Sequence, residues 1–128
     1  MNTKLLLSAS ALAMGLAGIA ASFAPAEIAA ALGLAGGALV VQLLGALLFG
    51  FAMVNWLARG SLLGGIYNRP VAVGNLAHFL IGALALLKAI GAGERRTMFL
   101  VAAAVYAIFA IGFAMALFRS PVQPRDEG

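Results

Sequence analysis

The chain has 128 residues, of which 64% are apolar and 9% charged, with a formal net charge of +4 and a mean hydropathy of +1.08. A soluble domain carries about 25% charged residues, so a water-soluble globule is excluded along with a disordered chain, and the class that remains is an integral membrane protein. Cysteine is absent, and one histidine with four carboxylates is too few for a convergent metal set, so neither metal nor cofactor is expected.

A hydrocarbon core of about 30 Å takes about 20 helical residues. Four apolar stretches reach that length, at 5–24, 34–58, 71–90 and 98–118. They predict an all-α, four-helix transmembrane domain over residues 1–118, followed by a polar tail at 119–128. The stretches are continuous and do not alternate with period two, which favours helices over a barrel.

The first stretch also has the outline of a signal peptide, with Lys4 before the apolar run and Pro25 after it. The run of about 20 residues exceeds the usual signal core of about 7–15, and a retained helix is the expectation. Ala11 and Gly15, four apart, suit close helix packing. In the second stretch, Ala35, Ala38, Gln42, Ala46, Phe49, Met53 and Trp56 share one stripe. Asn55 lies about 140° away at about 100° per residue.

Residues 59–70 follow, with three glycines, Tyr67 and an arginine at each end of the segment, Arg59 and Arg69. The segment reads as an interfacial connector, with Trp56 and Tyr67 at headgroup level and snorkelling arginines. The alternative is a holder of phosphate or a lipid headgroup. The Gly-Lys-Ser/Thr ending of a nucleotide-binding loop is missing. Gly60 is expected to end the second helix in a left-handed conformation, and Gly91 and Gly93 the third.

The third stretch places Val71, Gly74, Asn75, His78, Gly82, Ala85 and Ala89 on one stripe, with Val73, Leu76, Leu80, Leu84 and Leu87 opposite. Small and polar residues on one side predict a packed face, and bulky apolar ones a lipid face. Two readings of His78 stand: an imidazole hydrogen-bonded across helices, with Asn75 a candidate partner, or a proton acceptor or ligand contact. Asn75 and His78 lie roughly 6 and 10 Å in from Val71, within reach of Asn55 or Trp56 and out of reach of Gln42. The fourth stretch is rich in alanine and carries Gly112.

With four spans, Lys4, Arg59, Arg69, Arg119 and Arg125 share one side, and Lys88, Arg95 and Arg96 the other. The excess predicts that both termini are cytoplasmic.

The motifs Asn55-Trp-Leu-Ala-Arg-Gly60, Gly64-Gly-Ile-Tyr-Asn-Arg-Pro70, Asn75, His78-Phe79 and Gly82-Ala-Leu84 resemble a recurring set of small bacterial membrane proteins. Their overall plan is similar to the DoxX-like group of four-helix membrane proteins. The resemblance implies a compact bundle in a bacterial inner membrane and makes a partner enzyme or a quinone conceivable. No catalytic residue set is carried over with it.

The expected function is that of a non-enzymatic multi-pass protein, binding lipid or serving as an accessory subunit of a membrane complex. The alternative is a membrane enzyme or carrier for a hydrophobic quinone- or sterol-like substrate, with His78 as proton acceptor. Asn75 and Asn55 would then orient the substrate, and Trp56 and Tyr67 would line its way in. Contact candidates are Asn55, Trp56, Arg59, Tyr67, Arg69, Asn75 and His78. Membrane lipids are the expected partners, with a membrane protein or quinone as further candidates and no nucleic acid.

Overall fold

The structure is a computed structural model, and it describes residues 2–61, 68–93 and 96–119. The described residues form five helices: α1 (Thr3–Phe23), α2 (Pro25–Ala31), α3 (Ala38–Ala58), α4 (Arg69–Gly91) and α5 (Arg96–Phe118). All but α2 are long and apolar enough to cross a membrane. Tyr67, Glu94, Arg95 and the tail beyond Arg119 lie outside the described residues.

Local chemistry places the ends. Asn2 caps α1, its side-chain oxygen accepting from the Leu5 N–H at 3.2 Å. Pro25 opens α2 at the helix start, where its missing N–H costs no hydrogen bond, and Glu27 follows in the first turn. The connector after α2 turns through Gly33 and Gly36, with φ of 72° and 70°. α3 therefore starts at Ala38, four residues later than position 34. Hydropathy had carried the span back through a turn that is apolar and glycine-rich. Of the expected left-handed stops, Gly93 takes φ 85°. α3 instead leaves through a right-handed Arg59 (φ −61°), and Gly60 is not among the glycines with positive φ.

The main packing pairs α1 with α3 and α4 with α5. Between α1 and α3 the two backbones touch. A Cβ on Gly18 would stand 2.7 Å from the Phe49 nitrogen, and one on Gly45 would stand 2.8 Å from the Ser22 nitrogen. Without a hydrophobic drive inside lipid, such close approach is what gains dispersion energy. Among the described residues nine of the fifteen buried apolar ones are alanine, and these small side chains keep the axes close. The α4–α5 pair uses aromatic rings instead. Phe79 stacks on Phe109 and Phe113 at centroid distances of 4.9 and 5.9 Å. The Tyr106 ring covers Gly82 and leaves no room there for a Cβ.

The two pairs join in one half of the bundle. Leu7 and Met14 of α1, Leu48 and Ala52 of α3, Ala72 and Phe79 of α4, and Ala110, Phe113 and Ala116 of α5 form a single cluster. It occupies the half that holds Lys4, Arg59, Arg69 and Arg119. In the other half Ala21, Ala29 and Val41 make a separate cluster from α1, α2 and α3. Large apolar side chains such as Leu12, Leu16, Leu43 and Ile108 face outward, each more than half exposed, as lipid-facing positions are.

The packed face of α4 differs in part from the sequence reading, and on α3 the structure selects one of two lines. On α4 the buried residues are Ala72, Asn75, Phe79 and Ala83, turned by roughly 90° from the stripe through His78 and Gly82 at about 100° per residue. Of the stripe expected toward lipid, Val73, Leu80, Leu84 and Leu87 are exposed, and Leu76 packs on the core. Phe79 draws this face inward, because a ring that stacks on two other rings outweighs a row of small residues. On α3 the buried line is Val41, Gly45, Leu48, Ala52 and Asn55. The alternative line through Gln42, Phe49 and Trp56 is exposed.

Candidate functional site

Polar side chains meet where α1, α3 and α4 converge. Ser10, Asn55 and Asn75 are each fully buried, at 0% exposure. The two amides pair reciprocally: Asn55 Nδ2 donates to Asn75 Oδ1 at 2.8 Å, and Asn75 Nδ2 donates to Asn55 Oδ1 at 2.6 Å. Asn75 Nδ2 also donates to the Val71 carbonyl at 2.9 Å. Asn55 Nδ2 donates to Ser10 Oγ at 3.0 Å, with the Met14 sulfur 3.8 Å away. The Ser10 hydroxyl donates to the Leu7 carbonyl at 3.1 Å. Each amide hydrogen therefore has an acceptor, which removes the cost of burying it in an apolar interior. Gln42 is separate and exposed, its Nε2 donating to the Ser22 carbonyl at 3.3 Å.

His78 does not join this cluster. Its Nε2 is buried and has no hydrogen-bond partner among the described residues. The expected bond to Asn75 is replaced, because Asn75 gives its hydrogens to Asn55 and Val71. The imidazole sits among rings instead. It stacks with Phe51 at 5.4 Å, meets the edge of Phe79 at 5.1 Å and lies tilted to Tyr106 at 5.3 Å.

Beside this ring cluster a trough of about 660 Å³ opens on the outer surface of the bundle. Its floor is α4, with Gly74, Ala77, His78, Ile81, Gly82, Ala85 and Leu86. Leu44 and Phe51 of α3 form one wall, and Ala102 and Tyr106 of α5 the other. The volume lies inside the range of about 300–1,000 Å³ usual for small-ligand sites. From Gly74 to Leu86 the floor runs about 18 Å along the helix. Of the small residues expected to pack against another helix, Gly82 lies under the Tyr106 ring of α5, and Gly74 and Ala85 line the trough with it. Trp56 does not line it.

Arg59 and Trp56 form a unit of their own at the end of α3. The guanidinium lies 3.8 Å over the indole ring, and Nη1 donates to the Trp56 carbonyl. Arg69 is exposed at the first turn of α4. This end suits an interfacial anchor. Among the described residues no group of three histidines and carboxylates converges.

Three residues of the site escape a sequence reading. Ser10 satisfies its own hydroxyl on the Leu7 carbonyl, so it reads as an ordinary helical serine; its stripe position with Leu7, Met14 and Gly18 was the available signal. Phe51 and Tyr106 are indistinguishable by type from lipid-facing aromatics. Compared with known proteins, the chain matches no protein-family model, no curated protein and no solved structure.

Proposed function

We propose that this chain is a non-enzymatic multi-pass membrane protein that binds a lipid from within the bilayer, in the trough along α4. One observation carries the reading: a sizeable apolar trough with a polar ring in its floor opens on the outer surface of helices long and apolar enough to cross a membrane. Ser10, Asn55 and Asn75 spend their hydrogen bonds on one another inside the bundle, which leaves His78 as the polar group of the trough floor. The basic end, with Lys4, Arg59, Arg69 and Arg119, favours anionic headgroups on the cytoplasmic side. With the resemblance to DoxX-like proteins, it supports a bacterial inner membrane and cytoplasmic termini.

A second reading rests on His78. The trough opens beside it, and its Nε2 lacks a partner among the described residues. Both features suit an enzyme or carrier acting on a quinone- or sterol-like lipid, with His78 accepting a proton.

Native mass spectrometry of protein released gently from its own membranes, with lipid extraction of the same sample, tests both. A defined lipid that is retained, and lost in Ala85→Phe where the added ring fills the trough, is the expected result. Chemical conversion of that lipid by the wild type and not by His78→Gln would favour the enzyme. A bare chain, or one carrying only bulk phospholipid insensitive to Ala85→Phe, would overturn lipid binding in the trough and leave an accessory-subunit role.

A further inference from the structure

We infer that the trough selects a neutral lipid with a hydroxyl head, held at mid-membrane depth by His78; the inference rests on the lipid-binding reading and names its ligand class. Depth comes first. His78 stands nine residues after Arg69, the first residue of α4, or about 13 Å along the axis. Half of a hydrocarbon core is about 15 Å, so the imidazole lies near the midplane.

A phospholipid cannot bring its charged head there, because ionic groups at that depth are strongly disfavoured. A single hydroxyl costs far less to bury, and a hydrogen bond in the trough offsets that cost. The floor offers one polar side chain, His78, among glycine, alanine and aliphatic residues, and the wall adds Tyr106. A hydroxyl, which both donates and accepts, on an otherwise apolar body suits such a lining.

His78 has the complementary deficit. Its Nε2 is enclosed and has no partner among the described residues, a costly state inside an apolar bundle. The ring stands in the trough floor, and the torsion about its Cβ–Cγ bond is broad. Turning it exposes a nitrogen to the ligand. A hydroxyl both donates and accepts, so it satisfies the imidazole in either tautomer. Phe51 and Tyr106, already against the imidazole, close the walls around that contact and exclude competing water.

The test uses the full chain in phosphatidylcholine vesicles with two photoreactive probes. One is a long-chain primary alcohol carrying a diazirine in its chain. The other is phosphatidylcholine with the same diazirine in an acyl chain. Labelled residues are located by mass spectrometry, with thermal unfolding as a check on folding. Saturable labelling of Ala77, Ile81 and Ala85 by the alcohol is expected. It should fall about tenfold in His78→Phe and be kept in His78→Gln, which retains a hydrogen-bonding group at the site. Equal trough labelling by both probes, unchanged in both variants, would overturn the hydroxyl selectivity and leave lipid binding standing. Alcohol labelling of the trough no stronger than that of lipid-facing Leu12 and Leu16 would overturn both.

Discussion

Asn55 and Asn75 show how much one pair of side chains can do inside a membrane. Their reciprocal bonds tie α3 to α4, while Ser10 brings in α1. Interhelical hydrogen bonds in membranes contribute modestly, about 0.6 kcal/mol on average and up to about 1.7. Removing one partner also strands the other, at about 1–3 kcal/mol. Asn55→Ala and Asn75→Ala are each expected to lower stability by roughly 1–3 kcal/mol. In Asn55→Ala/Asn75→Ala the loss should be smaller than the sum by about 1 kcal/mol. A double-mutant cycle of unfolding in bicelles measures this, and strict additivity would show that the pair is uncoupled. That these two asparagines could meet was legible from depth alone. That His78 would be left out was not, because Asn75 has two hydrogens and both were taken by nearer acceptors.

Between elements, the α1–α3 contact depends on atoms that are missing. Gly45→Ala would drive a Cβ to 2.8 Å from the Ser22 nitrogen, with backbone that cannot turn aside. Gly50, on the same helix, has nothing within 4 Å of its Cβ position. Thermal unfolding in detergent should therefore show opposite signs: a loss of about 1–3 kcal/mol for Gly45→Ala and a neutral or slightly positive effect for Gly50→Ala. Equal effects at both positions would argue against backbone contact. The sequence marks both glycines alike, and composition cannot say which one faces a neighbour. α2 was missed for a related reason, since a seven-residue helix between two apolar spans leaves no periodicity long enough to read. Its start at Pro25 was visible only as a break.

Across the membrane, the placement of the ends is testable because the chain has no cysteine of its own. Exposed Ser61 lies at the basic end and exposed Ala92 at the opposite one. In whole cells a membrane-impermeant maleimide should label Ala92→Cys directly, and Ser61→Cys only after permeabilisation. The reverse pattern would invert the orientation. Labelling of both without permeabilisation would contradict a four-span topology.

Membrane class, helical content and the number of spans were readable in the chain, because a hydrocarbon solvent demands long continuous apolar helices whatever they pack against. The grouping of basic residues at one end followed from span parity alone. The rotation of α4, the clasp at Ser10, Asn55 and Asn75, and the trough beside His78 were not readable. They arise from competition among partners on different helices: Phe79 stacks on α5 rings, α4 turns to accommodate it, and of its small residues Gly82 receives the Tyr106 ring while Ala85 stays exposed in the trough. Hydropathy records how each residue fares in lipid, whereas these outcomes depend on which neighbour each side chain reaches.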